Sequence, residues 1–231
     1  MIEVNPRASR TIPFLSKCLG HSLAKLASKV LIGNSLRDLG FSSEIVPTSY
    51  AVKAPVFPFN KFLKVDPILG PEMKSTGEVM GRGSTFGEAF GKAIKAAGDE
   101  MPTRGNIFVS VKDSDKKYLP ELCQKFIELG FNIKATKGSC KFLADKGIRV
   151  EKVNKVLEGR PHIVDEILNN EICMVINTTE GRQSIKDSFS IRRSALEHST
   201  FLTTTISGGF AIAESLEKPS NEWNYIPLQT S

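Results

Sequence analysis

The stretch Ile172-Cys173-Met174-Val175-Ile176-Asn177, followed by Thr178-Thr179-Glu180-Gly181-Arg182, decides the fold. Five apolar residues in succession leave no face for solvent, the pattern of a strand covered on both sides in a parallel sheet. A helical period over residues 183–197 then supplies one covering layer. Upstream, residues 107–111 and 131–135 read as strands, and residues 118–128 between them as a helix stopped by Gly130. Pro120 lacks an N–H and crowds the preceding turn, so that helix either starts late or bends in its first turn. Residues 136–139 turn into a helix through Phe142 and Leu143, residues 148–153 are extended, and residues 162–168 are helical. Downstream, residues 201–205 are extended, residues 209–216 are helical, and the tail from Lys218 shows no period. This alternation predicts an α/β fold with a mostly parallel sheet between helices on both sides.

N-terminal to a break at residues 98–105 the pattern differs. Thr85 and Glu88 form a capping box for a helix with Phe86, Phe90, Ala93, Ile94 and Ala97 on one face. Residues 50–78 are rich in proline and in short β-branched or aromatic runs, as strands and extended loops are. Leu23, Leu26, Ala27, Val30 and Leu31 recur at helical spacing up to Gly33, which predicts a packing helix. Ile2, Glu3, Val4 and Asn5 alternate like a half-buried strand that Pro6 stops. A strand beginning at Met1 has lost its context, so the chain reads as the end of something larger. The expected division is residues 1–98 and 99–231.

The 231 residues have room for one large domain or two modest ones of roughly 100 to 200 residues each. With 40% hydrophobic and 24% charged residues, wholesale disorder, collagen-like repeats and coiled coil are excluded. No apolar run reaches the ~18 residues of a membrane helix and the N-terminus lacks a signal-peptide core, so a cytoplasmic, membrane-free protein is expected. Cys18, Cys123, Cys140 and Cys173 form no CxxC pair, which argues for reduced, mostly buried thiols rather than a zinc cage. A net charge of +6 favours anionic ligands but is too diffuse for nucleic acid, which is not expected as a partner.

Ligands of open α/β sheets sit beyond the carboxyl ends of the strands. Here those ends carry Ser110 and Lys112 with Lys116 beyond, then Thr136-Lys137-Gly138-Ser139, then Asn177-Thr178-Thr179 with Arg182 beyond. Hydroxyls and helix-start N–H groups beside Lys and Arg suit a phosphate dianion, and Lys155 adds a cation. Helix capping alone would select the same Ser, Thr and Asn. The run Arg182, Lys186, Arg192 and Arg193, with Asp187 its only acid, supports the anion, although a solvated basic face would look alike. At the N-terminus, Glu3 and Asn5 share a strand face and offer hard oxygen ligands to Mg²⁺, with Arg7 and Arg10 close by. Such a group would serve phosphoryl transfer, and an exposed strand edge would show it too. His21, His162 and His198 are scattered, and no hydrolytic triad can be nominated.

Six strings, IEVNPRASRTIPFLSK, FPFNKF, DPILGPEMKSTGEVMG, NKVLEGRPHI, INTTEGR and IRRSALEHS, closely resemble the C-terminal part of the large subunit of carbamoyl-phosphate synthetase. The resemblance runs from residue 2 to about residue 215. It implies that residues 1–98 are the end of the second ATP-grasp unit and that residues 99–231 are an allosteric, three-layer domain of the methylglyoxal synthase kind. It further implies a ligase that makes carbamoyl phosphate from bicarbonate, ammonia and ATP for pyrimidine and arginine synthesis. Expected with it are Mg²⁺ or Mn²⁺ with ATP, UMP or IMP as effectors, a glutaminase small subunit, the remainder of the large chain, and oligomerisation through the allosteric domain. The family's metal ligands match Glu3 and Asn5, and its arginines match Arg7 and Arg10. Its nucleotide-phosphate positions match Lys116, Thr136, Ser139, Lys155, Asn177, Thr178, Thr179 and Arg182.

Two departures bear on function. Members activated by ornithine carry a Glu and a Tyr where this chain has Ala54 and Leu202, so an ammonium would lose its carboxylate partner. Methylglyoxal synthases carry a catalytic Asp in a Gly-Gly-Asp string where this chain has Glu158-Gly159-Arg160, and a cation cannot act as that base. The competing expectations are a stand-alone nucleotide-binding regulatory module and, less well supported, such a lyase. The isolated chain is expected to be inactive.

Overall fold

The computed structural model describes residues 4, 7, 9–61, 65–70 and 72–227. The strand expected at Ile2 to Asn5 falls almost wholly outside them. The first elements are two short helices, α1 (Thr11–Leu19) and α2 (Leu23–Leu31). Helix α1 was not expected from periodicity; Pro13 lies in its first turn, where a missing N–H leaves no bond unmade. Helix α2 packs on α1 with Leu23 and Leu26 half-buried, but neither helix fully buries a residue and Leu31 and Ile32 are exposed.

Strands β1 (Tyr50–Val56) and β2 (Gly77–Gly83) pair antiparallel, and α3 (Phe86–Ala97) packs on them. A five-stranded sheet follows, built from β3 (Gly105–Ser110), α4 (Leu119–Glu128), β4 (Phe131–Ala135), α5 (Lys137–Ala144), β5 (Glu151–Lys152), α6 (Ile163–Leu168), β6 (Ile172–Asn177), α7 (Arg182–Asp187), α8 (Phe189–Glu197), β7 (Phe201–Thr203) and α9 (Ile206–Leu216). Its order is β5-β4-β3-β6-β7 with every pairing parallel, as expected of an α/β fold. Ile107 and Val109 of β3 face one core with Leu122 and Phe126 of α4 and Ile212 of α9, while Phe108 faces the other with Ile163 of α6 and Ile191 of α8. A central strand buried on both faces explains the unbroken apolar run at residues 172–176.

Several boundaries differ for identifiable reasons. The helix carrying Pro120 starts late: a 3-10 turn at Asp113–Tyr118 precedes α4, and Pro120 occupies its second position. The single helix expected over residues 183–197 is broken at Ser188 into α7 and α8, and beside the break Arg192 Nη2 donates to the Ile185 carbonyl at 2.8 Å. Pairing at residues 148–153 is confined to Glu151–Lys152. Helix α9 begins three residues early because the Thr205 hydroxyl accepts from Gly208 N. The tail is structured: Ser220–Glu222 forms a 3-10 turn and Trp223 is buried.

Helix α3 joins the two regions. A Cβ on Gly87 would meet the Glu214 carbonyl at 2.5 Å, and one on Gly91 the Ser215 hydroxyl at 2.3 Å and the Trp223 ring at 2.5 Å. Glycines four apart therefore let α3 lie against α9 with the tail tryptophan over the crossing. The capping box is only half formed. Thr85 Oγ1 accepts from Glu88 N at 3.2 Å, but the Glu88 carboxylate accepts from Ser84 N and Oγ, Lys92 Nζ and Asn224 N. Burial alone would raise the Glu88 carboxyl, yet the donors from Lys92, Ser84 and Asn224 outweigh it and hold it at about 2.

A carboxylate whose folded-state value lies below its ordinary one of about 4.3 gives its full stabilisation above that value and loses it as pH falls through the folded one. The melting temperature of the chain should therefore drop as pH is lowered from about 4.3 toward 2. Glu88→Gln should melt lower at pH 7, on the order of 5 °C if the lost charge-assisted bonds contribute roughly 1.5 to 3 kcal/mol. It should show a flatter acid limb. Equal acid limbs in the two proteins, followed by calorimetry, would remove Glu88 from this role.

Candidate functional site

Parallel strands end side by side, so the carboxyl ends of β3, β4 and β6 share one rim. Ser110, the last residue of β3, presents its carbonyl to Thr178 N at 3.0 Å and to Asn177 Nδ2 at 3.3 Å. Lys112 N donates to Thr178 Oγ1 at 3.1 Å, and Thr136 N donates to the Val109 carbonyl at 3.4 Å. Thr136 stands at the N-cap of α5, but its hydroxyl makes no capping bond, unlike those of Thr85 and Thr205. The capping explanation for Thr136 therefore fails on geometry. Ser139 follows in the first turn of α5 and is buried.

The cations come to the same place. Lys116, on the 3-10 turn, lies so close to the start of α5 that a Cβ on Gly138 would stand 3.6 Å from its ammonium. Its present partner is Asp113 at 2.6 Å. The hydrogen bond and charge of Lys116, and then the charge of Lys155 arriving beyond β5, hold the Asp113 carboxyl below its usual range. Lys155 itself is exposed. The structure thus gathers Lys116, Lys155, Thr136 and Ser139 around the start of α5, with Asn177 and Thr178 clasped to Ser110 alongside. Thr179, half-buried, and Arg182, the exposed first residue of α7, follow in the chain without a hydrogen bond to this group among the described residues. Lys112 Nζ lies 3.8 Å from Glu180. Two clefts lie elsewhere, one touching Asn132, Arg149 and Glu151 and one touching Asp99, Leu216 and Trp223.

The basic run requires correction. Arg192 is fully buried and Arg193 nearly so. Arg192 Nε and Nη2 donate to the two oxygens of Asp66 at 2.8 and 2.5 Å, and its Nη1 donates to Asn177 Oδ1 at 3.1 Å. Arg193 Nε donates to Glu197 at 2.7 Å. Neither is a cation on a solvated face. The period of α8 signalled this, since Arg192 falls three residues before the buried Ala195. Asp66, its partner 126 residues away, lies in irregular chain and carried no signal. Asp113 was likewise overlooked, because nothing in spacing ties it to the strand ends.

At the N-terminus Glu3 and Asn5 lie outside the described residues. Arg7 is exposed, and Arg10 is exposed at the N-cap of α1. Among the described residues no three His, Cys, Asp or Glu side chains are grouped to hold a metal, and no helix is long and apolar enough to cross a membrane. Burial pushes Cys123 to about 12 and Cys173 to about 11, and raises Cys18, which disfavours the reactive thiolate at all three. All four cysteines are unbridged.

Comparison with known proteins assigns residues 118–204 to the MGS-like domain family. The carbamoyl phosphate synthase large chain of Pseudomonas syringae pv. tomato is 58% identical over 217 residues, 94% of this chain and 20% of that one. Those of Xanthomonas campestris pv. campestris and Pasteurella multocida are 54% and 51% identical, each over 94% of this chain and 20% of theirs. The chain thus spans about a fifth of the length of the curated relatives it matches. A methylglyoxal synthase from Elizabethkingia anophelis is 22% identical, with a TM-score of 0.41 over 55% of this chain and 88% of that one.

An anion at the start of α5 would compete with Asp113 for the Lys116 ammonium. Asp113→Asn should therefore tighten binding of inorganic phosphate, by roughly two- to fivefold in low salt, the range of an exposed ion pair. Titration calorimetry with phosphate reads this directly, and unchanged or weaker binding by the variant contradicts the competition.

Proposed function

We propose, from the premise that this chain is a homologue of one fifth of the carbamoyl phosphate synthase large chain, that it houses the nucleotide-effector site of such an enzyme. The division is that expected from sequence: residues 1–98 complete the ATP-grasp unit that phosphorylates carbamate, and residues 99–231 form the regulatory domain. The observation that carries the effector reading is the gathering of Lys116, Lys155, Ser139 and an uncapping Thr136 hydroxyl at the start of α5. Donors, a helix start and two cations match a phosphate monoester, which a nucleotide such as UMP or IMP supplies. Asn177, Thr178, Thr179 and Arg182 extend the rim toward the rest of the ligand.

In the whole enzyme Glu3 and Asn5 would offer oxygens to Mg²⁺ or Mn²⁺ with ATP, and Arg7 and Arg10 would face the phosphates; the ion would neutralise charge during phosphoryl transfer. The partners are the remainder of the large chain, a glutaminase subunit and, through the regulatory domain, further copies, in a cytoplasmic enzyme of pyrimidine and arginine synthesis. The bare side chains of Leu31 and Ile32 support the first of these, since such residues suit a surface covered by more chain. Against a lyase, Glu158-Gly159-Arg160 offers no carboxylate in the catalytic position, and Arg160 points its guanidinium toward Asp165 at 3.7 Å.

Titration with UMP and IMP tests the site. At about 100-fold over the dissociation constant a bound nucleotide adds ~2.7 kcal/mol, which should raise the melting temperature by on the order of 5 to 10 °C. Uridine, without the phosphate, should shift it little. Lys155→Ala should weaken the nucleotide while leaving the ligand-free melting temperature unchanged, because Lys155 is exposed. Equal stabilisation by uridine would return these residues to structural duty. In the complete enzyme, ornithine should change activity little, since the Ala54 and Leu202 side chains offer an ammonium no acceptor. Several-fold activation by ornithine would show that other residues rebuild that site.

A further inference from the structure

A guanidinium is a donor only, so the atom of Asn177 that faces Arg192 must be Oδ1. That fixes the amide: Nδ2 is turned to the Ser110 carbonyl, and its second hydrogen has no acceptor among the described residues. The other end of the guanidinium is equally constrained. Nε and Nη2 grip both oxygens of Asp66, and Asp66 Oδ1 also accepts from Ile68 N at 3.2 Å. Lys74 Nζ then donates to the Ile68 carbonyl at 2.9 Å. An unbroken series of bonds therefore runs from the rim of the sheet, through a side chain with no exposed surface, to irregular chain more than a hundred residues earlier in sequence. Water cannot replace any partner of Arg192, so a displacement of Asn177 must either carry Asp66 with it or leave a buried charge short of a partner.

We infer that Asp66 and Arg192 form a relay coupling ligand occupancy at the strand ends to the segment at residues 65–70, with Arg192 the positioning residue of Asn177. The inference rests on the proposed reading that a phosphate monoester binds there. It makes Asp66, which among the described residues hydrogen-bonds only Arg192 and Ile68, a determinant of affinity at the rim. Coupling of this kind is reciprocal, so the ligand must alter the chain around Asp66 by the same factor that Asp66 alters the ligand.

Hydrogen exchange of the 231-residue chain with and without UMP tests it, with the Ile68 amide as reporter because Asp66 is its acceptor. UMP should slow Ile68 exchange roughly tenfold, within the usual range of coupling between sites. Asp66→Asn, nearly isosteric but unable to neutralise the guanidinium, should weaken UMP by a similar factor and abolish the slowing at Ile68. Asp66→Glu should restore part of both, as loss of packing alone would not. If Asp66→Asn does not fold, the wild-type exchange pattern alone decides. Protection by UMP at Lys112 and Thr178 with Ile68 unchanged overturns the relay and leaves the nucleotide site standing. No protection anywhere overturns the nucleotide reading and the relay with it.

Discussion

A guanidinium without solvent has to be matched on every side, and the demands of Arg192 organise much of this chain. It takes two oxygens from Asp66, one from Asn177 and one from the Ile185 backbone. The last of these lies beside the break between α7 and α8, the first fixes irregular chain against α8, and the middle one sets how β6 ends. Removing any one partner of such a buried charge typically destabilises by about 3 to 5 kcal/mol, whereas a well-packed apolar substitute for the whole group is often neutral. The ion pair thus adds little net stability over an apolar alternative. What it does is specify where three otherwise unrelated pieces of chain must sit.

A second fixed point lies on the far side of α3. Glu88 is buried and collects donors from Ser84, Lys92 and Asn224, so one carboxylate holds the end of β2, the helix and the tail. Lys92 in turn donates to the carbonyls of Arg82 and Asn224. Without side chains at residues 87 and 91, α3 and α9 meet backbone to backbone, and Trp223 closes over them. Among the described residues the N-terminal region and the five-stranded sheet are tied through Arg192 and Asp66 and through α3 and its neighbours, and the first tie reaches the strand ends.

How much of this was legible follows from the range of the forces involved. Strands β4 and β6 and the stop at Gly130 were readable because burial on two faces and a left-handed residue leave local marks at fixed spacing. Pro120 announced either a late helix start or a bent first turn for the same reason, and α4 starts late. The strand-end residues were readable in kind, since cap positions and anion sites use the same side chains, but only coordinates separate the two uses, as the idle hydroxyl of Thr136 does. Arg192 was misjudged by counting charges along the chain instead of placing them on the face of α8. Asp66, Asp113 and the docking of Trp223 left no local mark, because each is defined by a partner far away in sequence or by a turn without a period. Helix α1 carries Ile12, Leu15 and Leu19 at helical spacing, but nine residues of which none is buried give periodicity little to detect.

The pairing of Asp113 with Lys116 bears on how the proposed site would recognise charge. Empty, the start of α5 would present two ammonium groups to a helix whose own N-terminus is partly positive, an unfavourable arrangement. Asp113 relieves it from a side chain that is 92% exposed, where its attraction is screened and its position is held by little else. On the proposed reading that a phosphate monoester binds there, an arriving dianion would exchange with a weakly held monoanion rather than fill a bare positive site. Such an exchange favours phosphate over carboxylate ligands: a carboxylate would merely replace like with like, whereas a phosphate brings a second charge and a third oxygen for Thr136, Ser139 and the α5 backbone. The discrimination would rest on charge number and acceptor count, and Lys155, exposed beyond β5, would be the cation to meet the additional charge.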